Sequence, residues 1–261
     1  MKKRMVAAII CLSLGILFGG IGLYKYMEEK QAGTEYEKIR EEVVEKTNQK
    51  KPQTETLPEE KQEEPSAVDI PIDFQALQQQ NPEVYAWIQI PQTAVDYPIL
   101  QSSTDNSYYL NHTINGEEKK EGAIFTENYN TKTFEDPNTI IYGHDMKNGS
   151  MFQSIHQYMD RSFFDANRDI TIYMPEKILH YKIFAAYLTD NKHLMMTYNF
   201  WDQDVYQQYL DNIFSMRDMN AFVDTSMEVT AKDKIITLST CYAGISTQRY
   251  LVQAVLVSIE P

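Results

Sequence analysis

The sequence predicts a mainly β domain: an eight-stranded barrel with a leading helix and a helix-bearing insertion between the sixth and seventh strands. Two observations predict it. Of the 261 residues, 43% are hydrophobic and 12% aromatic, which is enough to bury the core of one ordinary domain. From about Ile70 onward, short runs of β-branched and aromatic residues alternate with turn signals, a pattern typical of a closed or nearly closed barrel.

Each predicted strand is a short run of this kind. In chain order the predicted strands are Val84–Ile90, Ala94–Leu100, Gly122–Phe125, Thr139–Gly143, Asp169–Met174, Leu179–Leu188, Lys234–Thr240 and Arg249–Ile259. Three other stretches are predicted to be helical, the second and third because their apolar residues recur at helical spacing. They are Ile72–Gln79 before the first strand, Met151–Met159, and Asp202–Phe214 within the insertion Thr189–Ser226.

The N-terminus has the pattern of a membrane anchor. Residues 1–4 are rich in basic side chains, and residues 5–24 form an uncharged, largely apolar run. As a helix, that run is about as long as a hydrocarbon core is thick. The basic start predicts a cytoplasmic N-terminus, a single membrane span and an extracellular remainder. A cleaved secretory signal is the alternative, and it would export the domain equally.

Residues 25–69 are predicted to be a charged stalk that holds the domain of residues 70–261 off the membrane. Glu, Lys, Gln and Thr dominate this stretch and prolines interrupt its second half, so it lacks the apolar content of a core. Within it, Glu35–Lys46 can form a solvated helix supported by opposite charges four residues apart.

Charge and motif content exclude several classes of function. The formal net charge of -13 argues against a nucleic-acid partner, because a phosphate backbone needs a basic surface. The sequence holds no glycine-rich phosphate loop and no metal-ligand spacing, so we expect neither a metal ion nor another cofactor.

Cys241 is the one cysteine of the predicted extracellular domain, since the other, Cys11, lies in the apolar run. A free thiol is unusual in an oxidising compartment. Cys241 directly follows a predicted strand, so the sheet would hold it while the next loop leaves it accessible, which suits a nucleophile. A buried structural cysteine is the alternative.

His144 is the histidine best placed to serve such a thiol, because it also follows a predicted strand and would lie at the rim of the barrel. Arg249 begins the last predicted strand, where a hairpin would bring its guanidinium back beside Cys241 as an oxyanion donor. An ordinary surface arginine is the alternative there. We interpret the remaining histidines as surface residues: His112, His156, His180 and His193.

Three motifs together resemble the sortase family, and within it class B. They are Thr237-Leu238-Ser239-Thr240-Cys241, Tyr142-Gly143-His144, and Arg249 on a final strand. The resemblance covers about residues 70–261. The segments Trp87-Ile88, Val95–Pro98 and Asn106–Leu110 are also similar to class B, and so is the helix-bearing insertion.

The resemblance implies a membrane-anchored cysteine transpeptidase of a Gram-positive bacterium. Cys241 would attack the threonine carbonyl of a C-terminal sorting motif and form a thioacyl enzyme. His144 would protonate the departing amine and later deprotonate the incoming one, and Arg249 would stabilise the oxyanion. The implied partners are surface proteins that carry a sorting signal and, as acceptor, the amine of a cell-wall peptide in lipid II or peptidoglycan.

The same resemblance implies a set of substrate-binding residues. Asn106, Leu110 and Ser239 would line the groove for the sorting motif. Thr240 and Tyr242 flank the cysteine and complete the set, with the backbone N–H of Tyr242 as a second oxyanion donor.

Three other functions remain open at this point. A pilin-polymerising sortase would take a lysine side chain as acceptor. A hydrolytic cysteine peptidase would use the same thiol and imidazole, and a stalked β-barrel that binds a surface ligand would leave Cys241 inert. The role of Asp145 is open as well, because this residue either tunes His144 or is simply solvated.

Overall fold

The computed structural model of the protein describes residues 15–24, 26–27, 34–49, 68–242 and 244–261. Residues 15–24 and 26–27 are helical, and none of the helices described is long and apolar enough to cross a membrane. The predicted cytoplasmic residues 1–4, the first half of the predicted anchor and much of the predicted stalk lie outside the described residues.

One sheet contains all the strands of the described residues. In chain order they are β1 (Val84–Gln89), β2 (Asp96–Leu100), β3 (Ile124–Thr126), β4 (Asn138–Tyr142), β5 (Asp169–Tyr173), β6 (Ile178–Asp190), β7 (Phe222–Val223), β8 (Ile235–Tyr242) and β9 (Ile245–Glu260). Their order in the sheet is β5-β1-β2-β3-β4-β8-β9-β6-β7, and a further pairing of β5 with β6 closes the barrel. The short β7 is an edge strand beside β6, so the predicted eight-stranded barrel is confirmed.

Helices lie before the barrel, between its strands and in the insertion. They are α1 (Thr34–Gln49), α2 (Phe74–Gln80), α3 (Arg161–Ala166), α4 (Leu194–Thr197) and α5 (Gln203–Phe214), together with 3-10 helices at Tyr108–Leu110 and Gln153–Met159. The predicted leading helix and the helix of the insertion are therefore present. The predicted helix at Met151–Met159 is instead a 3-10 helix followed by α3, which Asp160 caps by accepting from the Phe163 N–H.

The hairpin between β8 and β9 is longer than predicted. The ladder continues through Tyr242 on one strand and resumes at Ile245 on the other, because Gly244 adopts a positive φ of 73° in the tight turn. Cys241 consequently belongs to the end of a strand and does not follow it. Its backbone pairs with that of Arg249 in β9.

Two hydrophobic clusters occupy opposite faces of the β8 region. The first fills the barrel, with side chains such as Trp87, Ile236 and Leu238 fully buried. The second lies outside the barrel, where Tyr206 and Leu210 of α5 pack on the outer face of β6, β8 and β9. Because α5 covers that outer face near the start of β8, the end of the same face is left for a groove.

The first described helix after the N-terminal segment packs against the barrel. Tyr36, Ile39 and Val43 of α1 are 1%, 6% and 3% exposed and belong to the barrel's core cluster. The interpretation of this stretch as a solvated helix is therefore wrong for one face of α1. That face was hidden in the sequence by the many charged residues around it.

Asp224 anchors the end of the insertion to the barrel. Its carboxylate pairs with Arg168 and accepts hydrogen bonds from the N–H and hydroxyl of Ser226 at 3.0 and 2.6 Å. Burial alone would raise the pKa of this carboxyl, but the hydrogen bonds from Ser226 and Arg168 outweigh it and hold the pKa below its ordinary value.

We expect Asp224→Asn to lower the free energy of unfolding by about 1–3 kcal/mol at neutral pH, because Arg168 loses the nearer of two charged partners, the other being Asp165 at 3.8 Å. The folded pKa of Asp224 is depressed, so this stability is present above the unfolded value of about 3.9 and lost as pH falls through the folded pKa. Urea unfolding at about pH 7 and about pH 3 would measure it. Asp169→Asn, in the exposed pair with Lys182, is the control with a smaller expected loss. If Asp224→Asn lost the same unfolding free energy at both pH values, the stability would not depend on the ionised Asp224 carboxylate, and the prediction would be contradicted.

Candidate active site

β8 lies between β4 and β9 and brings the three predicted catalytic residues together. β4 and β8 are parallel, and their ladder ends with Tyr142 opposite Ser239, so His144 lies two residues beyond β4 and lines the same groove as Cys241. β8 and β9 are antiparallel with Cys241 directly opposite Arg249. Because cross-strand partners project to the same face of a sheet, the guanidinium of Arg249 lies on the same face as the thiol, and the imidazole of His144 lines the same groove.

These side chains line a groove of about 300 Å³ at the open end of the outer sheet face. Seven of the eight predicted site residues contribute to it: Cys241, His144, Arg249, Asn106, Leu110, Ser239 and Thr240. Cys241 is half-buried, so its sulfur is accessible from the groove. Tyr242 is not among the lining residues, and its ring instead lies 5.9 Å from the ring of His156.

The His144 side chain and backbone are both held in place. Nε2 of the ring lies 2.6 Å from the carbonyl oxygen of Leu110. A carbonyl oxygen can only accept a hydrogen bond, so Nε2 carries a proton in this arrangement. Nδ1 is then the nitrogen that can accept a proton when the ring is neutral. The His144 carbonyl accepts from the Phe152 N–H at 2.9 Å, and the Gly143 N–H donates to Ser239 at 3.2 Å.

Arg249 is half-buried beside the thiol's strand. One guanidinium nitrogen donates to the Gln248 carbonyl at 3.0 Å. Burial and the Glu127 carboxylate raise the pKa of the nearby Tyr142 hydroxyl. The Arg249 guanidinium lowers that pKa by a smaller amount, so the net shift is upward. The Tyr142 hydroxyl thus stays protonated and donates to Glu127 at 2.9 Å.

The groove contains two functional candidates that the sequence did not reveal. Glu127, directly after β3, accepts from Tyr142 and pairs with Nε2 of His193 at 2.8 Å. His193 precedes α4 in the insertion and lines the groove, so its interpretation as a plain surface residue is wrong. A polar residue at a strand end was a usable signal for Glu127, whereas no sequence signal places the insertion over the groove.

Asp145 is not fully solvated, because it has a partner in the fold. Its carboxylate lies 3.7 Å from Nδ1 of His156, and the two side chains are 18% and 15% exposed. His156 is therefore no surface residue either, and its ring lies 5.2 Å from the ring of Tyr250 in β9. Within the described part of the chain, no three His, Cys, Asp or Glu side chains are arranged to hold a metal ion.

The arrangement suits acyl transfer through a thioester. A thiol beside an imidazole can be deprotonated and can return the proton to a leaving amine. A guanidinium on the opposite side can donate to the oxygen that becomes negative when the thiolate attacks a carbonyl. The groove along the sheet face gives a peptide access to all three groups.

Comparisons with known proteins agree with this chemistry. A family model described as a sortase domain matches residues 88–257. A sortase B of Listeria monocytogenes is 37% identical over 169 residues, which cover 65% of this chain and 67% of that relative. A sortase B of Staphylococcus aureus is 28% identical over 263 residues, covering 100% and 99% of the two chains. A solved Staphylococcus aureus sortase B-substrate complex has a TM-score of 0.69 at 28% identity, with 89% of this chain and 99% of that chain covered.

Proposed function

The chain belongs to the sortase family as a sortase B-type cysteine transpeptidase, and from this premise we propose that it cleaves a C-terminal sorting motif after threonine and transfers the protein to a cell-wall peptide amine. The family assignment confirms the resemblance drawn from the motifs around Cys241 and His144. The single observation that carries the proposal is that three side chains line one groove: Cys241 and Arg249, which are opposite each other in the β8–β9 ladder, and His144, which follows the end of β4.

In the proposed first half-reaction, the Cys241 thiolate attacks the threonine carbonyl of the bound motif. Arg249 donates to the oxyanion of the tetrahedral intermediate, with the backbone N–H of Tyr242 as a second donor. His144 gives a proton to the departing amine, the scissile C–N bond breaks, and a thioester between the threonine and Cys241 remains.

In the second half-reaction, an acceptor amine attacks the thioester carbonyl. His144 takes the proton from the attacking nitrogen, the C–S bond breaks, and the Cys241 thiolate is restored as a new amide forms. We propose that the acceptor is the amine of a cell-wall peptide. A pilin lysine and water are the alternative acceptors, which the test must distinguish from it.

The donor peptide is proposed to lie along the groove between two walls. Asn106 and Leu110 contribute the wall on the side of β2 and β3, while Ser239 and Thr240 precede the nucleophile on β8. Residues 190–194 of the insertion line the same groove, which supports the proposal that the insertion contacts the bound motif.

We further propose that the N-terminal segment tethers the enzyme to the cell membrane, with the catalytic domain outside the cell. The support is the basic start followed by the apolar run over residues 5–24. Ile16, Leu17 and Phe18, in the helical part of that run, are 70%, 58% and 67% exposed, as lipid-facing side chains would be.

A peptide library tests the proposed activity. The enzyme and Cys241→Ala are incubated with peptides that carry sortase-like motifs, with and without an amine acceptor, and the products are read by mass spectrometry. Cleavage after threonine with transfer, absent from the variant, is the expected result. Cleavage to the free acid under every acceptor would make the chain a peptidase, and no reaction together with a Cys241 that resists alkylation would favour a binding module.

A further inference from the structure

We infer that α1, which the sequence suggests is part of a linker, belongs to the catalytic apparatus: its residue Tyr36 positions His144 through two separate series of contacts. This inference rests on the proposed role of His144. Tyr36 touches neither substrate nor the reacting atoms, so it is a positioning residue. The contacts that connect it with His144 all lie within the described residues.

The first series begins at the Tyr36 hydroxyl. This hydroxyl donates to the carbonyl oxygen of Gly122 at 2.7 Å and accepts from the N–H of Ile114 at 3.3 Å. It thereby ties together the two ends of the loop that runs from the 3-10 helix at Tyr108–Leu110 to β3. Burial raises the pKa of the Tyr36 hydroxyl above its ordinary value, so it remains a donor at every working pH.

Gly122 contacts the Leu110 carbonyl, which bonds the imidazole of His144. Its φ is 52°, and a Cβ at this position would lie 2.4 Å from the Tyr109 oxygen and 2.7 Å from the Leu110 oxygen. The backbone of Gly122 therefore sits against the Leu110 carbonyl, which bonds His144 Nε2. A shift of Gly122 would displace the acceptor that selects the tautomer of His144.

The second series reaches the His144 backbone. The Tyr36 ring packs edge-on against Tyr97 at 5.5 Å between centroids, and the Tyr97 hydroxyl accepts from the Met151 N–H at 3.0 Å. Met151 has a positive φ of 57°, which a non-glycine residue keeps only where its surroundings hold it. The N–H of the next residue, Phe152, donates to the His144 carbonyl at 2.9 Å.

Polar contacts fix α1 on both sides of Tyr36. Glu35 pairs with Lys119 at 3.1 Å and accepts from Asn115, both in the loop before Gly122. Arg40 pairs with Asp96 at 2.9 Å, and its guanidinium lies 5.5 Å from the centre of the Tyr97 ring. The first two turns of α1 therefore hold the loop that carries Leu110 and also the tyrosine that supports Met151.

A comparison of two buried tyrosines tests the inference in the full-length chain. Tyr36→Phe removes the hydroxyl that bonds Gly122. Tyr206→Phe is the matched control, because the buried Tyr206 hydroxyl also bonds the backbone at two places, the Pro137 and Asp233 carbonyls at 3.0 and 3.2 Å, but lies in α5 far along the chain from this network. Both variants lose buried hydrogen bonds, so a comparable fall in Tm is expected for each.

Three readouts separate positioning from stability. They are kcat and KM for the cleaved peptide, the rate of Cys241 alkylation by iodoacetamide against pH, and the tautomer of His144 from the ring signals of ¹⁵N-histidine, assigned with His144→Gln. For Tyr36→Phe we expect kcat to fall about tenfold with an unchanged KM, slower alkylation near neutral pH, and a mixed tautomer in place of the Nε2-protonated form. Tyr206→Phe should leave all three at the wild-type values.

Wild-type values of all three readouts in folded Tyr36→Phe would overturn the inference, as would equal changes in both variants. If no peptide is cleaved by the wild type, the proposed function fails, but alkylation and the tautomer still decide whether Tyr36 positions His144. Should Tyr36→Phe not fold, Arg40→Gln replaces it. That variant removes the ion pair with Asp96 and the cation beside Tyr97, and the same shift in tautomer is expected.

Discussion

Replacement of Arg249 by lysine is expected to lower kcat for transfer by about 100- to 1,000-fold, the usual cost of losing one oxyanion donor. Lysine keeps the positive charge but lacks the planar fork of donors that reaches a fixed point across the strand pair. Arg249 lies opposite Cys241 in the β8–β9 ladder, so its backbone position is fixed. Whether an N–H group reaches the oxyanion therefore depends on the length and shape of the side chain as well as on its charge. Steady-state kinetics on the cleaved peptide would measure the loss.

Arg161→Lys is the matched control for this prediction. Arg161 is 57% exposed, pairs with Asp165 in α3, and does not line the groove. We expect its substitution to leave kcat unchanged, and the thermal stability of both variants to stay close to that of the wild type. An Arg249→Lys enzyme with more than about half of the wild-type kcat would remove Arg249 from the mechanism.

Gly143→Ala is expected to cost both stability and activity, although it adds a single methyl group. A Cβ at Gly143 would lie 2.5 Å from Cδ1 of Ile124 and 2.7 Å from Cδ2 of Phe152, both in the barrel's core cluster. Overpacking of this kind costs roughly 1–3 kcal/mol of unfolding free energy. Since His144 is the next residue, its displacement by about 1 Å would lower kcat about 100-fold.

A second substitution makes this prediction specific. Phe152→Leu removes ring atoms next to the added methyl group, so the double variant Gly143→Ala with Phe152→Leu should recover part of both losses. Urea unfolding and kcat are measured on the two single variants and the double variant. If the effects of the two substitutions simply add, the added methyl group does not act by pressing on Phe152, and the packing argument for Gly143 is contradicted.

The barrel and the convergence of the three residues proposed to be catalytic were predictable from the sequence. Short runs of β-branched and aromatic residues indicate strands that are buried on a sheet, and this pattern can be recognised without knowing any tertiary contact. His144 and Cys241 each stand at the end of such a run, so neighbouring parallel strands bring them to one edge. The exact ends of the strands were less predictable, because the β8–β9 ladder continues to a turn at Gly244.

The packing of α1 was harder to predict, because charged residues dominate its composition. The signal was present in the spacing of Tyr36, Ile39 and Val43, which recur every three or four residues and lie on one helix face. Three apolar positions among many charges are also common in a solvated helix. Burial depended on whether the barrel offered a complementary surface, and only the folded sheet supplies that information.

The polar end of the groove was not predictable from the sequence. His193 reaches Glu127 because the chain just before α4 lines the groove, and a four-residue helix has too short a pattern to be recognised. The contact of Asp145 with His156 likewise depends on a 3-10 segment whose direction is set by tertiary packing. In both cases a histidine that resembled a surface residue in the sequence acquired partners through the fold.

The central claim is that Cys241 forms a thioester with the donor peptide while His144 and Arg249 act beside it. Intact-mass measurement of the enzyme, quenched during reaction with a cleavable donor peptide and no amine acceptor, tests it most directly. We predict a mass increase equal to the acyl part of the peptide, mapped to Cys241, removed by hydroxylamine and absent from Cys241→Ala. Peptide cleavage that continues without any adduct, or that survives in Cys241→Ala, would contradict the claim.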